Sequence, residues 1–163
     1  MIGLTTVSIR KYLQILNKEK YGEPVPSYEE LDLAKLASTL KTPFLRSMAT
    51  ITTSTSILKT IAHFFCLMVE SHYAPNGNKR LAVISLYSIL KLNGYVLKTS
   101  NVKLYAVAMA VTWLSKYGLF DQAIEEVLLM LKDETQIDSE NKIDSIEKKK
   151  LETEFVRFMQ SKS

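Results

Sequence analysis

The sequence predicts an all-α protein: a bundle of about six helices with a small flap, followed by a C-terminal amphipathic helix. Three observations carry this. Apolar residues recur at helical spacing in segment after segment. Glycine (5) and proline (4) are scarce in the 163 residues, against the needs of a turn-rich β fold. One stretch, residues 42–56, breaks the helical rhythm with a run of Thr, Ser and Ile.

The elements follow in order. Ser8 precedes a helix with Ile9, Tyr12, Leu13 and Leu16 on one stripe, ended near Gly22. Pro24-Val25-Pro26 forces an extended link. Ser27 and Glu30 have capping-box spacing and open a second helix, with Leu33, Leu36 and Leu40, that Thr42-Pro43 stops. Residues 42–56 read as a loop or small β-flap, with a plain surface connector as the equal alternative. From Ser56 a helix runs to Tyr73, apolar on most sides and therefore central. A polar turn, Ala74 to Asn78, leads to another very apolar helix that Asn93-Gly94 ends. Residues 95–100 connect to a helix capped by Asn101 and stopped at Gly118, and a further helix starts at Asp121.

Composition changes near residue 133, which divides the chain into a body, 1–132, and a polar linker with a terminal helix, 133–163. On that helix Leu151, Phe155, Phe158 and Met159 share one face, which the reading docks onto the chain's own body rather than onto a partner. Trp113, Phe64, Phe65, Phe120 and Met109 read as core.

Function classes narrow in the same way. A single cysteine, Cys66, excludes an internal disulfide and a cysteine zinc cluster. The apolar runs fall short of the roughly 20 residues a membrane span needs, so no membrane partner is expected. The expected setting is a soluble protein of a reducing compartment, the cytoplasm. The net charge of +4 is uneven: residues 133–163 hold six basic and eight acidic residues, a net −2, which leaves +6 on residues 1–132. That suits phosphate-bearing ligands and falls well short of a nucleic-acid-binding stripe. His63 and Cys66, one turn apart, read as a packed histidine and a buried thiol because no second ligand pair accompanies them.

The informative segment is Ser71 to Arg80. Asn76-Gly77-Asn78 permits unusual backbone angles, so successive N–H groups can point one way. The next helix begins there, and its positive dipole end faces the same spot. Lys79 and Arg80 add positive charge and a planar fork suited to phosphate. His72 stands where the preceding helix ends, and an imidazole can take a proton from an incoming hydroxyl. Spacing alone is better met by an ordinary interhelical turn with solvated cations, since Asn-Gly turns are common. Tyr73 is placed to stack on an adenine or to pack in the core.

His72 followed by Gly77-Asn78-Lys79-Arg80 and an apolar helix resembles the signature of the Fic/Doc superfamily, H-x-F-x-(D/E)-(G/A)-N-(G/K)-R. Lys79 matches the Doc, or death-on-curing, branch, and looser similarity covers roughly residues 5–132. The resemblance implies a Fic-like helical fold and transfer of a phosphoryl or AMP group from ATP onto a hydroxyl of a target protein. Doc-type members resemble kinases acting on a translation factor, elongation factor Tu, and belong to toxin–antitoxin systems. It implies His72 as the base, the loop from Gly77 and Asn78 as the anion hole, and Lys79 and Arg80 as phosphate-holding and charge-stabilising groups. Residues 42–56 would take the position of the target-binding flap. Many members carry an inhibitory helix with Ser or Thr four residues before a Glu. No Glu here has that neighbour, so inhibition would come from a separate antitoxin-like partner.

Two positions depart from the pattern. Ala74 replaces the family Phe, and Asn76 replaces the acidic residue that binds Mg²⁺. An amide carbonyl can coordinate Mg²⁺ but brings no charge. Pro75 stiffens the same loop. The alternative function is therefore a catalytically degenerate Fic-fold module that binds nucleotide or a protein partner without turnover.

Overall fold

Ile61, Ala62, Phe64, Phe65, Cys66 and Met68 lie on successive turns of one helix and are all buried. That helix, α3 (Ser54–Glu70), is apolar on most sides and has neighbours on most sides, the arrangement that buries such a helix. The computed structural model describes residues 1–19, 23–45, 54–139 and 144–161. Around α3 stand α2 (Leu33–Leu45), α4 (Asn78–Leu92), α5 (Asn101–Lys116) and α6 (Phe120–Glu134), while α1 (Thr6–Lys18) packs on α2 and α4. A terminal helix, α7 (Ser145–Gln160), completes an all-α bundle with seven helices among the described residues. Among the described residues no helix is long and apolar enough to cross a membrane.

Several boundaries differ from the sequence reading. Helix α1 starts at Thr6, and Ser8 serves inside the first turn, its hydroxyl accepting the Thr5 N–H at 3.2 Å. Ser27 to Glu30 does not open α2. Tyr28–Glu30 forms one 3₁₀ turn, Leu31 is extended and buried, and Asp32 caps α2 instead. The Asp32 carboxylate accepts the Lys35 N–H at 3.0 Å and its carbonyl accepts the Leu36 N–H at 2.9 Å. Burying Leu31 breaks the chain away from the helical path that the capping-box spacing suggests. Nor does Pro43 stop α2: the helix continues to Leu45, with Pro43 and Phe44 both in the core.

Of the flap expected at 42–56, residues 46–53 lie outside the described residues, and the flanking ones belong to α2 and α3. The two-stranded element that is described lies elsewhere. Strand β1 (Tyr95–Leu97), in the expected connector, pairs antiparallel with β2 (Thr135–Ile137), in the expected polar linker. Tyr95 faces Ile137 and Leu97 faces Thr135. The Asp138 N–H reaches the Gly94 carbonyl at 2.8 Å and extends the pairing.

The terminal helix docks on its own body. Phe155 is 4% exposed and meets Phe44 edge-on, centroids 4.9 Å apart. Gly3 makes room for it, since a β-carbon there would overlap the Phe155 ring and stand 2.7 Å from Phe44. Lys41 fixes the far end: its ammonium donates to the Ser161 carbonyl at 2.7 Å and lies 4.9 Å over the Phe158 ring.

Phe64 and Phe65 are core, and Phe120 is half-buried beside His63. Met109 and Trp113 are not core. Helix α5 buries Leu104, Ala108 and Val111 and leaves those two exposed. An apolar residue at nearly every position of α5 hid which face turns inward.

Candidate functional site

The loop between α3 and α4 is built by its own backbone. His72 adopts φ +47°, a left-handed conformation uncommon outside glycine, and its side chain is exposed. That turn swings Tyr73 inward, where it is 1% exposed and its carbonyl accepts the Asp32 N–H at 2.8 Å. Burial pushes the Tyr73 phenol far above its usual range, and among the described residues its hydroxyl has no hydrogen-bond partner. A core position answers the question left open for Tyr73: it packs.

Asn78 latches the loop shut. Its side-chain carbonyl accepts the Ala74 N–H at 3.3 Å and its amide donates to the Ala74 carbonyl at 2.8 Å. Ala74, where the resembled pattern has Phe, is buried. Gly77, at φ +79°, is the N-cap of α4. It offers no side chain to the first turn, and no acidic residue stands there. The positive end of the α4 dipole, with Lys79 and Arg80 on its first turn, is therefore not neutralised from within the helix.

A strap formed by Glu23 to Pro26 crosses this loop. Asn17 of α1 clamps it at both sides of Val25, accepting the Val25 N–H at 3.0 Å and donating to the Val25 carbonyl at 3.1 Å. The strap then takes two donors of the loop. The Asn76 amide donates to the Pro24 carbonyl at 3.2 Å, and the Arg80 guanidinium donates to the Glu23 carbonyl. The Val25 side chain presses on the turn, and a β-carbon at Gly77 would lie 2.7 Å from Val25 Cγ1. Gly77 is thus required twice, for its positive φ and for the closeness of Val25.

Arg80 also lines a half-open cleft of about 540 Å³ with Leu16, Val83, Ile84, Tyr87 and Tyr105. Arg80, Val83, Ile84 and Tyr87 fall on one face of α4, so the cleft and the loop share a helix. The Tyr87 hydroxyl bonds to the Thr99 carbonyl and to Asn101 Oδ1, at 3.3 and 3.1 Å. Burial raises the Tyr105 phenol, and the Arg80 charge opposes that rise, which places the guanidinium in electrostatic reach of the ring. Sequence reasoning missed Tyr87 and Tyr105. The i, i+3, i+4, i+7 series beginning at Arg80 was the available signal.

The structure therefore carries His72, Asn76, Gly77, Asn78, Lys79 and Arg80 on one turn and divides their tasks. His72 is exposed, Asn78 holds the loop, and Asn76 and Arg80 are drawn to the strap. The turn supplies two cations, Lys79 and Arg80, and no carboxylate. It does not fit Mg²⁺ well: Asn76 supplies a neutral amide, and among the described residues no three His, Cys, Asp or Glu gather as a metal site. Cys66 is buried, and burial, then the Glu70 charge, pushes its thiol up to about 12, against a thiolate ligand role with His63. The chain matches no protein-family model, no curated protein and no solved structure with which it was compared.

Proposed function

We propose that this protein is a Fic/Doc-like transferase that moves a phosphoryl or AMP group from ATP onto a hydroxyl of a target protein. The observation that carries this reading is the loop itself. An exposed His72, a left-handed Gly77 and the positive start of α4 with Lys79 and Arg80 occur on one short turn beside a cleft of nucleoside size. In the proposed reaction the target oxygen attacks the γ- or α-phosphorus, and the bond from that phosphorus to its bridging oxygen breaks. ADP or pyrophosphate leaves, and His72 accepts the hydroxyl proton. Lys79 and Arg80 hold the phosphates. Arg80 exchanges its neutral carbonyl partner at Glu23 for an anion, a stronger acceptor for a guanidinium. The preference for phosphoryl transfer rests on Lys79 and the Doc resemblance. The same reading takes a translation factor as target, an antitoxin-like inhibitor and a cytoplasmic setting.

A second reading has its own observation. Asn76 and Arg80 are both bound to the strap, and Asn76 lacks the charge a metal needs. A module that binds nucleotide or a protein without turnover accommodates both facts. Parallel transfer assays with α- and γ-labelled ATP, with cell lysate as target source, separate the two readings when run on wild type and His72→Ala. γ-Label on protein that vanishes in His72→Ala identifies a kinase, and α-label an AMP-transferase. ATP binding with no label from either position favours the binding module.

A further inference from the structure

The sequence holds two Asn-Gly pairs, Asn76-Gly77 and Asn93-Gly94. Asparagine is a thermolabile residue, most of all before glycine, where no β-carbon shields the backbone nitrogen that attacks its side chain. The fold treats the two pairs differently. Asn93 is held by three bonds: its side-chain carbonyl accepts the Ile2 N–H at 2.8 Å, and its amide donates to the Ile2 and Ile89 carbonyls, both at 2.7 Å. The nitrogen that would attack it is engaged as well, since the Gly94 N–H donates to the Lys91 carbonyl at 3.1 Å. Asn76 is exposed, and among the described residues its side chain has one bond, to the Pro24 carbonyl at 3.2 Å. Among the same residues the Gly77 N–H has no partner.

We propose that Asn76 is a self-modifying site, which exchanges its amide for an acid and so frees the strap, Glu23 to Pro26, from the loop. The Gly77 backbone nitrogen gives its proton to solvent base and bonds to Asn76 Cγ. The Cγ–Nδ2 bond breaks, and Nδ2 leaves as ammonia with a proton from water. The five-membered imide that remains takes up one water. Opening at Cγ leaves aspartate on an unchanged backbone. Opening at the Asn76 backbone carbonyl leaves isoaspartate, with the chain routed through the side chain. Nothing is oxidised or reduced, water is the only co-reactant, and the attack is intramolecular, which is why no enzyme is needed. Either product lacks the Nδ2 donor, so the Pro24 carbonyl loses its partner on the loop. The aspartate product also puts a carboxylate on the turn that carries Lys79 and Arg80, where the resembled pattern is acidic.

The test is incubation of the full chain in mildly alkaline buffer, followed over time by proteolytic mapping and mass spectrometry. In urea the two pairs should convert at comparable rates, which sets their intrinsic reactivity. In the native protein Asn76 should convert faster than Asn93 by about 10-fold or more, because Asn93 must first break more hydrogen bonds. Asn76→Gln, which would have to close a six-membered ring, should remove the product at this position and leave Asn93 as it was. Asn76→Asp stands for the product with the unchanged backbone. In it, hydrogen exchange at the Val25 N–H, which Asn17 holds, should quicken by about 2- to 10-fold, with retained circular dichroism as the folding control. An Asn76 that keeps its amide in the native protein while the unfolded chain converts overturns the proposal. So does an Asn93 that converts as fast as Asn76 in the native protein. Unchanged exchange at Val25 in Asn76→Asp overturns the release of the strap. The proposal stands apart from the transferase reading, and no arm of its test uses ATP.

Discussion

Gly77→Ala is predicted to cost about 2–4 kcal/mol of stability, in two separable parts. An L-residue held at φ +79° is strained by about 1–2 kcal/mol. The new β-carbon would also lie 2.7 Å from Val25 Cγ1, where carbons ordinarily stand about 3.5–4.0 Å apart. The strap must therefore move by about an ångström against its Asn17 clamp, for a further loss of about 1–2 kcal/mol. Val25→Ala removes the obstructing methyl, and in that background Gly77→Ala should cost only its strain. Gly94 supplies the control. Its φ is +84° and nothing lies within 4 Å of a β-carbon placed there, so Gly94→Ala measures strain alone. Urea unfolding followed by circular dichroism gives all four free energies. A Gly77→Ala cost no larger than that of Gly94→Ala would refute the close-approach argument. So would a cost unchanged in the Val25→Ala background, since contacting residues must couple.

Asn17→Ala removes both bonds to the Val25 backbone and should destabilise by about 1–3 kcal/mol, with loss of hydrogen-exchange protection at the Val25 N–H. Phe155→Ala should cost about 3–5 kcal/mol in urea unfolding and expose α7 to limited proteolysis, because this ring is the buried anchor of the helix. Cys66 should resist thiol reagents in the native protein at mildly alkaline pH, because burial and Glu70 raise its thiol from 9.0 to about 12. Over that window the folded thiol keeps a proton that the unfolded chain releases. Stability should therefore fall as pH rises from 9.0 toward about 12, by at most about 1.4 kcal/mol per pH unit. Cys66→Ala should flatten that part of the curve. The raised Tyr12 and Tyr73 phenols leave a residual slope of the same sign.

Both ends of α4 were legible in the sequence because glycine marks them. Gly77 and Gly94 take positive φ, and no other residue type does so without strain. The start of α2 was not legible. Ser27 and Glu30 satisfied a local capping pattern, but the burial of Leu31, a tertiary event, overrode it in favour of Asp32. Trp113 and Met109 were misplaced because α5 is apolar nearly all round, and periodicity can assign a face only where polar residues mark the other. The candidate site divides in the same way. The loop residues are contiguous in sequence and could be picked out together. The strap could not, because Glu23 meets Arg80 across 57 positions and Pro24 meets Asn76 across 52. Such pairs leave no spacing to read.

The strap also changes what the departure at Asn76 means. Asn76 lacks the charge of the family's metal ligand, but its amide is a donor, and the Pro24 carbonyl uses it. An aspartate in its place would supply the absent charge and, in the same step, lose the donor that tethers the strap. Asn76→Asp therefore confounds two effects, and Asn76→Ala separates them, since it releases the tether and adds no charge. Transfer that appears with Asp and not with Ala assigns the deficit to the carboxylate. Transfer that appears with both assigns it to the strap, and then Asn17→Ala, which loosens the strap from its other side, must act in the same direction. The two explanations of a silent wild type thus differ in which of three substitutions restores activity, and the position of the Asn76 hydrogen bond is what distinguishes them.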